Sequence, residues 1–211
     1  MRLTKYGHAC VRLEADGRVL VIDPGTLSEP EALDGADAVL VTHEHDDHID
    51  VDQLRAARAA NPALTVHTHA ALAAELGAAL GAGVSAVAVG DAFTVAGFSV
   101  RVVGGEHAEV VDGLPGCPNI GFVVDGLYHP GDALFVPAEQ VETLLVPASG
   151  PWVKLGEVIE FVRAVAPARA FPIHDAHFND IGLETFDWWL ETKGGTDYAR
   201  IPTGESVVLD S

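Results

Sequence analysis

The sequence His43-Glu44-His45-Asp46-Asp47-His48 directly follows an apolar, β-branched run at residues 38–42. That run predicts a buried strand of a parallel sheet. If the chain stays extended beyond it, His43, His45 and Asp47 project to one side, because side chains alternate along an extended chain. In a helix, residues two apart diverge by about 200°, so this spacing favours an extended loop over the helical H-E-x-x-H zinc signature. Three imidazoles and a carboxylate this close together indicate a metal site.

His48 breaks the alternation and can rejoin the cluster only if the chain turns there. A turn is expected because Asp50 has the character of an N-cap for a helix at Val51–Ala60. Gln53 stands at the reciprocal position of a capping box. Strand end, ligand loop and helix start then form one unit at the carboxyl edge of a sheet, where α/β proteins usually bind ligands.

Length and charge restrict the class of protein. The chain has 211 residues, which suits one domain spanning residues 1–211, and 48% of them are hydrophobic. Its 12 Lys and Arg stand against 31 Asp and Glu, giving a net charge of −19. Such a field repels polyanions, and no basic cluster offers a face to phosphates, so we expect no nucleic-acid partner. A small anionic substrate stays compatible, because metal ions would make the site locally positive.

Cysteine usage and hydropathy predict a cytoplasmic protein. The two cysteines, Cys10 and Cys117, are too few for a disulfide framework and are expected to be reduced. Cys10 is expected to pack in the core, whereas Cys117 could border the site. The first residues lack the apolar segment of a signal peptide, and no run of about 18 apolar residues occurs, so we expect no membrane partner.

Hydrophobic periodicity divides the chain into two halves of similar pattern. In the first half it predicts helices at Val51–Ala60 and 70–80, and strands at 2–6, 9–14, 18–23, 38–42, 64–68 and 84–89. In the second half it predicts helices at 154–165 and 183–191, and strands at 92–95, 98–103, 120–124, 127–129, 143–146, 169–173 and 206–209. Hairpins come first and strands then alternate with helices, which predicts an α/β (α+β) fold of two mixed sheets with helices outside.

Three further polar residues follow the ends of predicted strands: His107, Asp132 and His174. Taken singly, a loop histidine is usually solvated and a Gly-Asp pair is usually a turn. Together with the six-residue cluster, however, they provide two histidine-rich sets and a spare carboxylate. That is the ligand supply which a pair of metal ions requires.

This pattern resembles the metallo-β-lactamase-fold hydrolase superfamily over essentially the whole chain. The family's His-x-His-x-Asp-His, later His, Asp and final His are matched by His43, His45, Asp47, His48, His107, Asp132 and His174. Shorter motifs make the chain similar to the small branch that includes L-ascorbate-6-phosphate lactonase: Tyr6-Gly7-His8-Ala9, Ile22-Asp23-Pro24-Gly25, Gly105-Glu106-His107, Tyr128-His129-Pro130-Gly131-Asp132 and Pro172-Ile173-His174. The chain departs from the family at Ala133, where Thr is common, and at Val110-Val111-Asp112.

The resemblance implies a four-layer αβ/βα sandwich with two divalent metal ions at one edge between the sheets. Zn²⁺ is the expected metal, with Mn or Fe as alternatives. By position, the first metal ion would be held by His43, His45 and His107, and the second by Asp47, His48 and His174. Asp132 would bridge the two, and Asp47 and Asp132 are the candidate catalytic residues. Two metal ions sharing a water would lower its pKa toward about 7, so that hydroxide attacks a small-molecule ester, lactone or phosphodiester.

Five further residues are candidates for supporting ligands or contacting substrate: His8, Asp23, His129, Trp152 and Lys154. Asp23 ends a buried strand and could accept the free ring N–H of a ligand histidine, or simply form an Asp-Pro-Gly turn. The resemblance places His8 and His129 near the site edge, with structural roles as the alternative. Trp152 could form a pocket wall, and Lys154 could meet an anionic group.

Four other aromatic or imidazole side chains receive ordinary interpretations. His67 and His69 flank Thr68 at a strand edge and are expected to be solvated. Trp188 and Trp189 lie in a predicted helix and are expected to be packing residues.

Three alternative functions remain open, and a homo-oligomer is compatible with all of them. Di-iron oxygen reductases share this fold, but by resemblance that group tends to carry Glu in place of His45 and an attached flavin domain. A non-catalytic metal-binding module would show no turnover across a broad substrate panel. A nucleic-acid-processing member would act on structured RNA with a strong dependence on salt.

Overall fold

Two seven-stranded sheets and four α-helices make up the computed structural model, which describes residues 1–114 and 116–209. The first sheet has the order β14-β1-β2-β3-β4-β5-β6, with the strands β1 Arg2–Lys5, β2 Val11–Ala15, β3 Arg18–Ile22, β4 Ala38–Leu40, β5 Thr65–Thr68, β6 Val84–Ala86 and β14 Ser206–Val208. The second has the order β13-β12-β11-β10-β9-β8-β7, with β7 Ala92–Val95, β8 Phe98–Glu106, β9 Pro118–Val124, β10 Leu127–His129, β11 Thr143–Pro147, β12 Arg169–Ile173 and β13 Asp197–Tyr198.

Both sheets are mixed in the same way. In the first, β1, β2 and β3 pair antiparallel, and β3 to β6 pair parallel. In the second, β7 to β10 pair antiparallel, and β10 to β13 pair parallel. The antiparallel strands are joined by short turns, whereas the parallel strands need crossovers. The prediction of two mixed sheets is confirmed.

Side-chain alternation on the strands separates three apolar layers. Leu40 of β4 packs between the sheets with residues such as Phe122 and Ile173. Its neighbours Val39 and Val41 face the other way and pack against helices outside the first sheet. Because β4 is buried on both faces, its sequence is continuously apolar. An equivalent layer lies between the second sheet and its helices, so the expected four-layer sandwich is confirmed.

The helices are α1 Val51–Ala60, α2 Ala70–Leu80, α3 Leu155–Val165 and α4 Asp180–Lys193, with a short 3-10 helix at Pro30–Leu33. Helix α4 starts three residues earlier than predicted, because the Asn179 side chain caps it by accepting a hydrogen bond from the Gly182 N–H at 3.0 Å. Lys154 is the N-cap residue of α3 rather than its first residue. Within the described part of the chain, no helix has the length and apolar character that a membrane crossing requires.

Several strand boundaries also differ from the predictions. Strand β4 ends at Leu40 rather than residue 42, and β6 ends at Ala86 rather than residue 89. Strand β8 continues through Gly104 and Gly105 to Glu106, because these residues pair with β9. The two-residue β13 at the edge of the second sheet was not predicted, since a strand so short has no visible alternation.

The cap of α1 ties the ligand loop to the turn after β3. Asp50 Oδ1 accepts hydrogen bonds from the N–H groups of Asp52 and Gln53 at 2.9 and 3.0 Å, as predicted. The predicted reciprocal hydrogen bond of the capping box, from the Asp50 N–H to the Gln53 side chain, is wrong. Gln53 donates to the Asp50 side chain at 3.1 Å, while the Asp50 N–H donates to the carbonyl of Pro24 at 2.9 Å.

Candidate metal centre

The candidate ligands gather at one edge of the sandwich, where strands of both sheets end. The loop after β4 supplies the first four, and the ends of β8, β10 and β12 supply His107, Asp132 and His174. Backbone hydrogen bonds join the two sheets at this edge. The Ile120 N–H donates to the Thr42 carbonyl at 3.0 Å, and the His174 N–H donates to the His8 carbonyl at 3.0 Å.

The ligand loop turns earlier than the alternation predicted. The N–H groups of His48 and Ile49 both donate to the carbonyl of His45, at 2.9 and 3.1 Å. The extended geometry therefore ends at His45, and Asp47 does not project with His43 as expected. Gly25 makes the turn sterically feasible, because a Cβ there would lie 2.0 Å from the Asp47 carbonyl oxygen.

Two groups of side chains each present ligand atoms within 4.8 Å of one another. One group is His43, His45, His107 and Asp132, and the other is His8, Asp47, His48 and His174. The structure thus brings together all seven residues of the family pattern and adds His8. Most of these side chains are buried, whereas His45 is exposed and marks the side open to solvent.

Asp132 lies between the two groups, with one oxygen directed at each. Its Oδ2 is 3.3 Å from His107 Nε2, and its Oδ1 is 3.0 Å from His48 Nε2 and 3.1 Å from His174 Nε2. The indole N–H of Trp152 donates to Oδ2 at 3.2 Å. This placement is what a carboxylate that bridges two cations requires.

Asp23 orients two of the histidines from behind. Its Oδ2 lies 2.7 Å from His48 Nδ1 and accepts a hydrogen bond from the Thr42 hydroxyl at 2.7 Å. Because that hydroxyl donates to Asp23, its contact at 2.9 Å with His43 Nδ1 is one in which His43 donates. In its neutral form each ring therefore carries its proton on Nδ1 and turns Nε2 toward the centre. Asp23 is fully buried, so these bonds are not diluted by solvent.

His107 and His8 have their tautomers fixed by the backbone. His107 Nδ1 donates to the Ala108 carbonyl at 2.7 Å, which leaves Nε2 free to ligate. His8 Nδ1 accepts from the Ala176 N–H at 3.3 Å, so the proton of a neutral His8 is on Nε2. That nitrogen lies 3.1 Å from Asp47 Oδ2 and donates to it. We therefore interpret His8 as holding Asp47 rather than as a ligand.

Three site residues adopt left-handed backbone conformations that β-carbons disfavour. His8, Asp23 and His174 have φ values of 58°, 53° and 56°. Such conformations cost roughly 1–3 kcal/mol each and persist where surrounding contacts impose them. All three residues belong to the candidate site, which indicates that the site geometry outweighs local backbone preference.

The mutual electrostatics of the site shift its pKa values strongly. Burial disfavours a charged His48, but the carboxylates of Asp23 and Asp132 outweigh it and raise the pKa of His48 to about 10. Burial is likewise outweighed at His174, where Asp132 and Asp47 raise the pKa to about 9. The pKa of Asp132 lies far below its usual range, because nearby histidines outweigh its burial.

The residues present fit a pair of cations by a direct structural criterion. Among the described residues, His48 Nε2, Asp132 Oδ1 and both ring nitrogens of His174 are buried without a hydrogen-bond partner. Their close approaches to one another are not aligned as hydrogen bonds. Buried polar atoms are normally satisfied. The orphaned Nε2 atoms of His48 and His174 lie 3.0 and 3.1 Å from the orphaned Asp132 Oδ1, which suits a metal that binds imidazole and carboxylate.

Comparison with known proteins identifies the family of the chain. The Beta-lactamase superfamily domain matches residues 2–174 of the chain. The chain belongs to this superfamily. It is 45% identical over 216 residues to Protein Rv0786c of Mycobacterium tuberculosis, covering 99% of this chain and 100% of that protein. A UPF0173 metal-dependent hydrolase of Methanopyrus kandleri is 30% identical over 218 residues, with 92% of each chain covered.

The fold of this beta-lactamase superfamily member also matches solved structures. Igni18, described as a novel metallo hydrolase from Ignicoccus hospitalis, superposes with a TM-score of 0.78 at 22% identity, covering 100% of this chain and 98% of that one. The relationship places the chain with the UPF0173 metal-dependent hydrolases and the metallo-β-lactamase fold. The similarity to L-ascorbate-6-phosphate lactonase stays a prediction.

The remaining predicted site residues of this superfamily member divide into near and distant ones. Trp152 is 7% exposed, with its ring 6.0 Å from both His107 and His174. His129 is fully buried and donates to the Ala9 carbonyl at 2.9 Å, which makes it a link between the sheets. The structure does not bring Lys154 to the centre. Its side chain is 78% exposed and paired with Glu157 at 2.8 Å.

Two ordinary interpretations of other side chains are wrong. His69 is buried, not solvated, because it is the N-cap residue of α2 and its Nε2 lies 3.1 Å from Glu44. His67 is half-buried and stacks on Phe93 at 5.2 Å. Trp188 and Trp189 are 54% and 36% exposed and contact each other rather than a core.

Sequence reasoning missed three residues at the edge of the site. The Thr42 hydroxyl donates to Asp23 and accepts from His43 Nδ1, so it links these two side chains. The Asn119 side chain holds the Asp132 loop by accepting a hydrogen bond from the Asp132 N–H at 3.0 Å. His177 lies 5.3 Å from the His8 ring. Only Thr42 carried a signal, since a polar residue stood between an apolar strand and the first ligand. Cys117 does border the site, with Sγ 3.8 Å from His45 Nε2.

Proposed function

We propose that this protein is a dinuclear metal-dependent hydrolase of a small-molecule ester, lactone or phosphodiester. The observation that carries the proposal is Asp132, whose two oxygens face two separate groups of ligand nitrogens at 3.0 to 3.3 Å. Water activated by such a cation pair could itself attack the substrate, so no protein nucleophile would be required. The names of the relatives, metal-dependent hydrolases, support the same reaction class.

Two sets of side chains in this protein would each hold one of the two cations. His43, His45 and His107 would hold one cation, and Asp47, His48 and His174 the other, with Asp132 shared between them. A cation pair so held supplies Lewis acidity and lowers the pKa of water.

The supporting residues would act on the ligands rather than on the substrate. Asp23 fixes the tautomers of His43 and His48 and thereby keeps their lone pairs directed inward. Trp152 covers Asp132 and donates to it, which keeps bulk water away from the bridging carboxylate.

We infer a small substrate rather than a nucleic acid from the charge of −19. We include lactones among the candidate substrates because of the motif similarity to L-ascorbate-6-phosphate lactonase. Zn²⁺ is the metal we propose, with Mn or Fe as alternatives, because imidazole and carboxylate ligands accept all three. The two free cysteines, Cys10 and Cys117, suit a reducing cytoplasm as the place of action. The single-domain organisation and any homo-oligomer remain predictions.

Elemental analysis of the purified native protein, followed by activity assays, tests this proposal. We expect about two metal ions per chain, as two-metal sites require. We also expect turnover of at least one lactone, carboxylic ester or phosphodiester after reconstitution with Zn²⁺, Mn²⁺ or Fe²⁺. Full metal content without turnover on the whole panel would support a non-catalytic metal-binding protein instead. Cleavage of structured RNA that weakens steeply with salt would favour nucleic-acid processing.

A further inference from the structure

An apolar groove opens beside the metal centre, between two segments that leave the second sheet. One wall is the segment 148–155, which runs from the end of β11 into α3, and the other is the segment 177–186, which leads into α4. The groove encloses about 730 Å³. Small-molecule sites in proteins usually measure about 300–1,000 Å³, so its size suits a ligand rather than a water cluster.

The groove adjoins the candidate metal centre at His177 and Ser149, which belong to its lining. The His177 ring lies 5.3 Å from the His8 ring and 5.8 Å from the His174 ring. Ser149 Oγ donates to the His174 carbonyl at 2.5 Å and lies 3.2 Å from His177 Nδ1. A molecule with its reacting group at His174 would therefore extend past His177 into the groove.

The lining of the groove has no acidic or basic side chain apart from the imidazole of His177. Its larger side chains are aliphatic or aromatic: Pro151, Val153, Leu155, Phe178, Ile181 and Phe186. No Lys, Arg, Asp or Glu is among its lining residues within the described chain. Ile181, at 73% exposure, is the most exposed large hydrophobic side chain of the described part. An unpaired charge would find no partner here, whereas an alkyl or aryl group would be taken out of water.

We propose that this groove binds the apolar, uncharged part of the substrate, as an alkyl or aryl group attached to the bond that is hydrolysed. The inference rests on the proposed hydrolase function and adds the substrate class to it. Hydrolysis of such an ester consumes one water molecule, breaks the acyl carbon–oxygen bond and yields a carboxylic acid and an alcohol. No oxidant or further reactant is involved.

The first test compares the ethyl esters of acetate, butyrate, hexanoate and octanoate, which carry no aryl group that could fill the groove in place of the acyl chain. We expect kcat/KM to rise about fourfold for each added methylene that enters the groove, since burial of a methylene group contributes about 0.8 kcal/mol. Turnover of acetate with no gain along the series would overturn the groove proposal and leave the hydrolase proposal intact. Absence of turnover with every ester, lactone and phosphodiester would instead defeat the hydrolase proposal.

Ile181→Asp provides the matching variant, because it places a charge at the mouth of the groove without touching a candidate ligand. An acidic residue in the first turn of α4 is compatible with the helix dipole. We expect the chain-length gain to disappear while the acetate ester keeps its kcat/KM within about twofold, since only the burial of additional methylenes is lost. Val208→Asp is the control, because Val208 is 71% exposed on the distant edge strand β14. Equal loss of the chain-length gain in both variants would contradict the proposal.

Binding can be measured independently of activity in the chelated protein. We expect 1-hexanol to shift the methyl NMR signals of Ile181, Val153 and Leu155, with weaker shifts from 1-butanol at the same concentration. Unchanged signals would overturn the proposal. A second copy of the chain could occupy the groove instead. In that case analytical ultracentrifugation would show a dimer that Ile181→Asp dissociates, and 1-hexanol binding would be lost on dimerisation, which would also overturn it.

Discussion

Each ligand histidine must direct a lone pair, and not a proton, at the metal centre. His43 and His48 achieve this through Asp23, and His107 through the Ala108 carbonyl. These partners are buried or belong to the backbone, so the fold sets the tautomer that each ring adopts in its neutral form. At His48 a cation would take the place of the Nε2 proton that the ring carries in its absence. The seven ligand candidates could be read from the sequence because their spacing is itself the motif. Of the orienting partners, Asp23 was also predicted, whereas Thr42 and Asn119 were missed because they act through hydrogen bonds that exist only after the chain has folded.

Neighbouring aspartates in the ligand loop offer a matched comparison. Asp47→Ala should reduce the metal content to about one ion per chain and lower kcat/KM by at least about a hundredfold, because it removes a ligand from one half of a two-metal site. Asp46→Ala should leave both unchanged, because Asp46 is exposed and lies outside both ligand groups. Elemental analysis and steady-state kinetics measure the two effects. Similar behaviour of the two variants would show that Asp47 is not a ligand.

Trp152→Phe should slow turnover without removing metal. The variant keeps an aromatic ring beside Asp132 but loses the indole N–H that lies 3.2 Å from Oδ2. A hydrogen bond to a charged group contributes about 1.5–3 kcal/mol, so we expect kcat/KM to fall by at least about tenfold. Trp189→Phe, at an exposed position on α4, is the control and should have no effect. A fall in metal content of the Trp152 variant would assign the residue to stability of the site rather than to orientation.

Cation binding should release protons at neutral pH. The pKa of His48 is raised to about 10 and that of His174 to about 9, so both rings are protonated at pH 7 in the absence of metal. A metal ion can bind only the neutral rings, so metal affinity should rise with pH up to these values. Calorimetric titration with Zn²⁺ in buffers of different ionisation enthalpy should show release of about two protons from these rings. An enthalpy independent of the buffer would contradict this.

At the scale of secondary structure, the cap of α1 connects stability to the site. Asp50→Ala removes the side chain that accepts from Asp52 and Gln53, so we expect the free energy of unfolding to fall by about 1 kcal/mol. Asp52→Ala is the control, because the Asp52 side chain is 89% exposed. Urea denaturation followed by circular dichroism measures both. A loss no larger than that of the control would show that the cap contributes nothing net.

Element types were predictable from periodicity, but their ends were not. Strand β4 was found because it is continuously apolar, whereas helix α1 was found from its Ala-rich run and the cap at Asp50, which fixed where it begins. The ends of β8 depended on pairing with β9, and the start of α4 depended on a cap at Asn179. His69 was misjudged for the same reason. A histidine between a strand and a helix looks solvated in sequence, yet here it caps α2 beneath Glu44.

In the whole molecule, the candidate metal centre lies at the edge where backbone hydrogen bonds join the two sheets, beside the apolar layer between them. The first sheet supplies His43 to His48, and the second supplies His107, Asp132 and His174. In the absence of metal, protonated His48 and His174 pair with Asp132 at 3.0 and 3.1 Å. Their positive charges then offset the carboxylate in place of the cations. We therefore expect the chelated protein to remain folded but less stable.

Chelation should lower the Tm by about 10 °C at pH 7, because a ligand at a thousand times its Kd contributes about 4 kcal/mol and 1 kcal/mol corresponds to about 2–4 °C at this length. The difference should widen as pH rises. His48 and His174 have folded pKa values of about 10 and 9, above the unfolded value near 6.5, so their charge pairing stabilises the chelated protein fully below that value and is lost toward pH 10. Metal binding strengthens over the same range, because it requires neutral rings. Differential scanning calorimetry of loaded and chelated protein at pH 7, 8 and 9 measures the difference. A Tm gap that stays constant or narrows with pH would show that these two histidines do not face the cations.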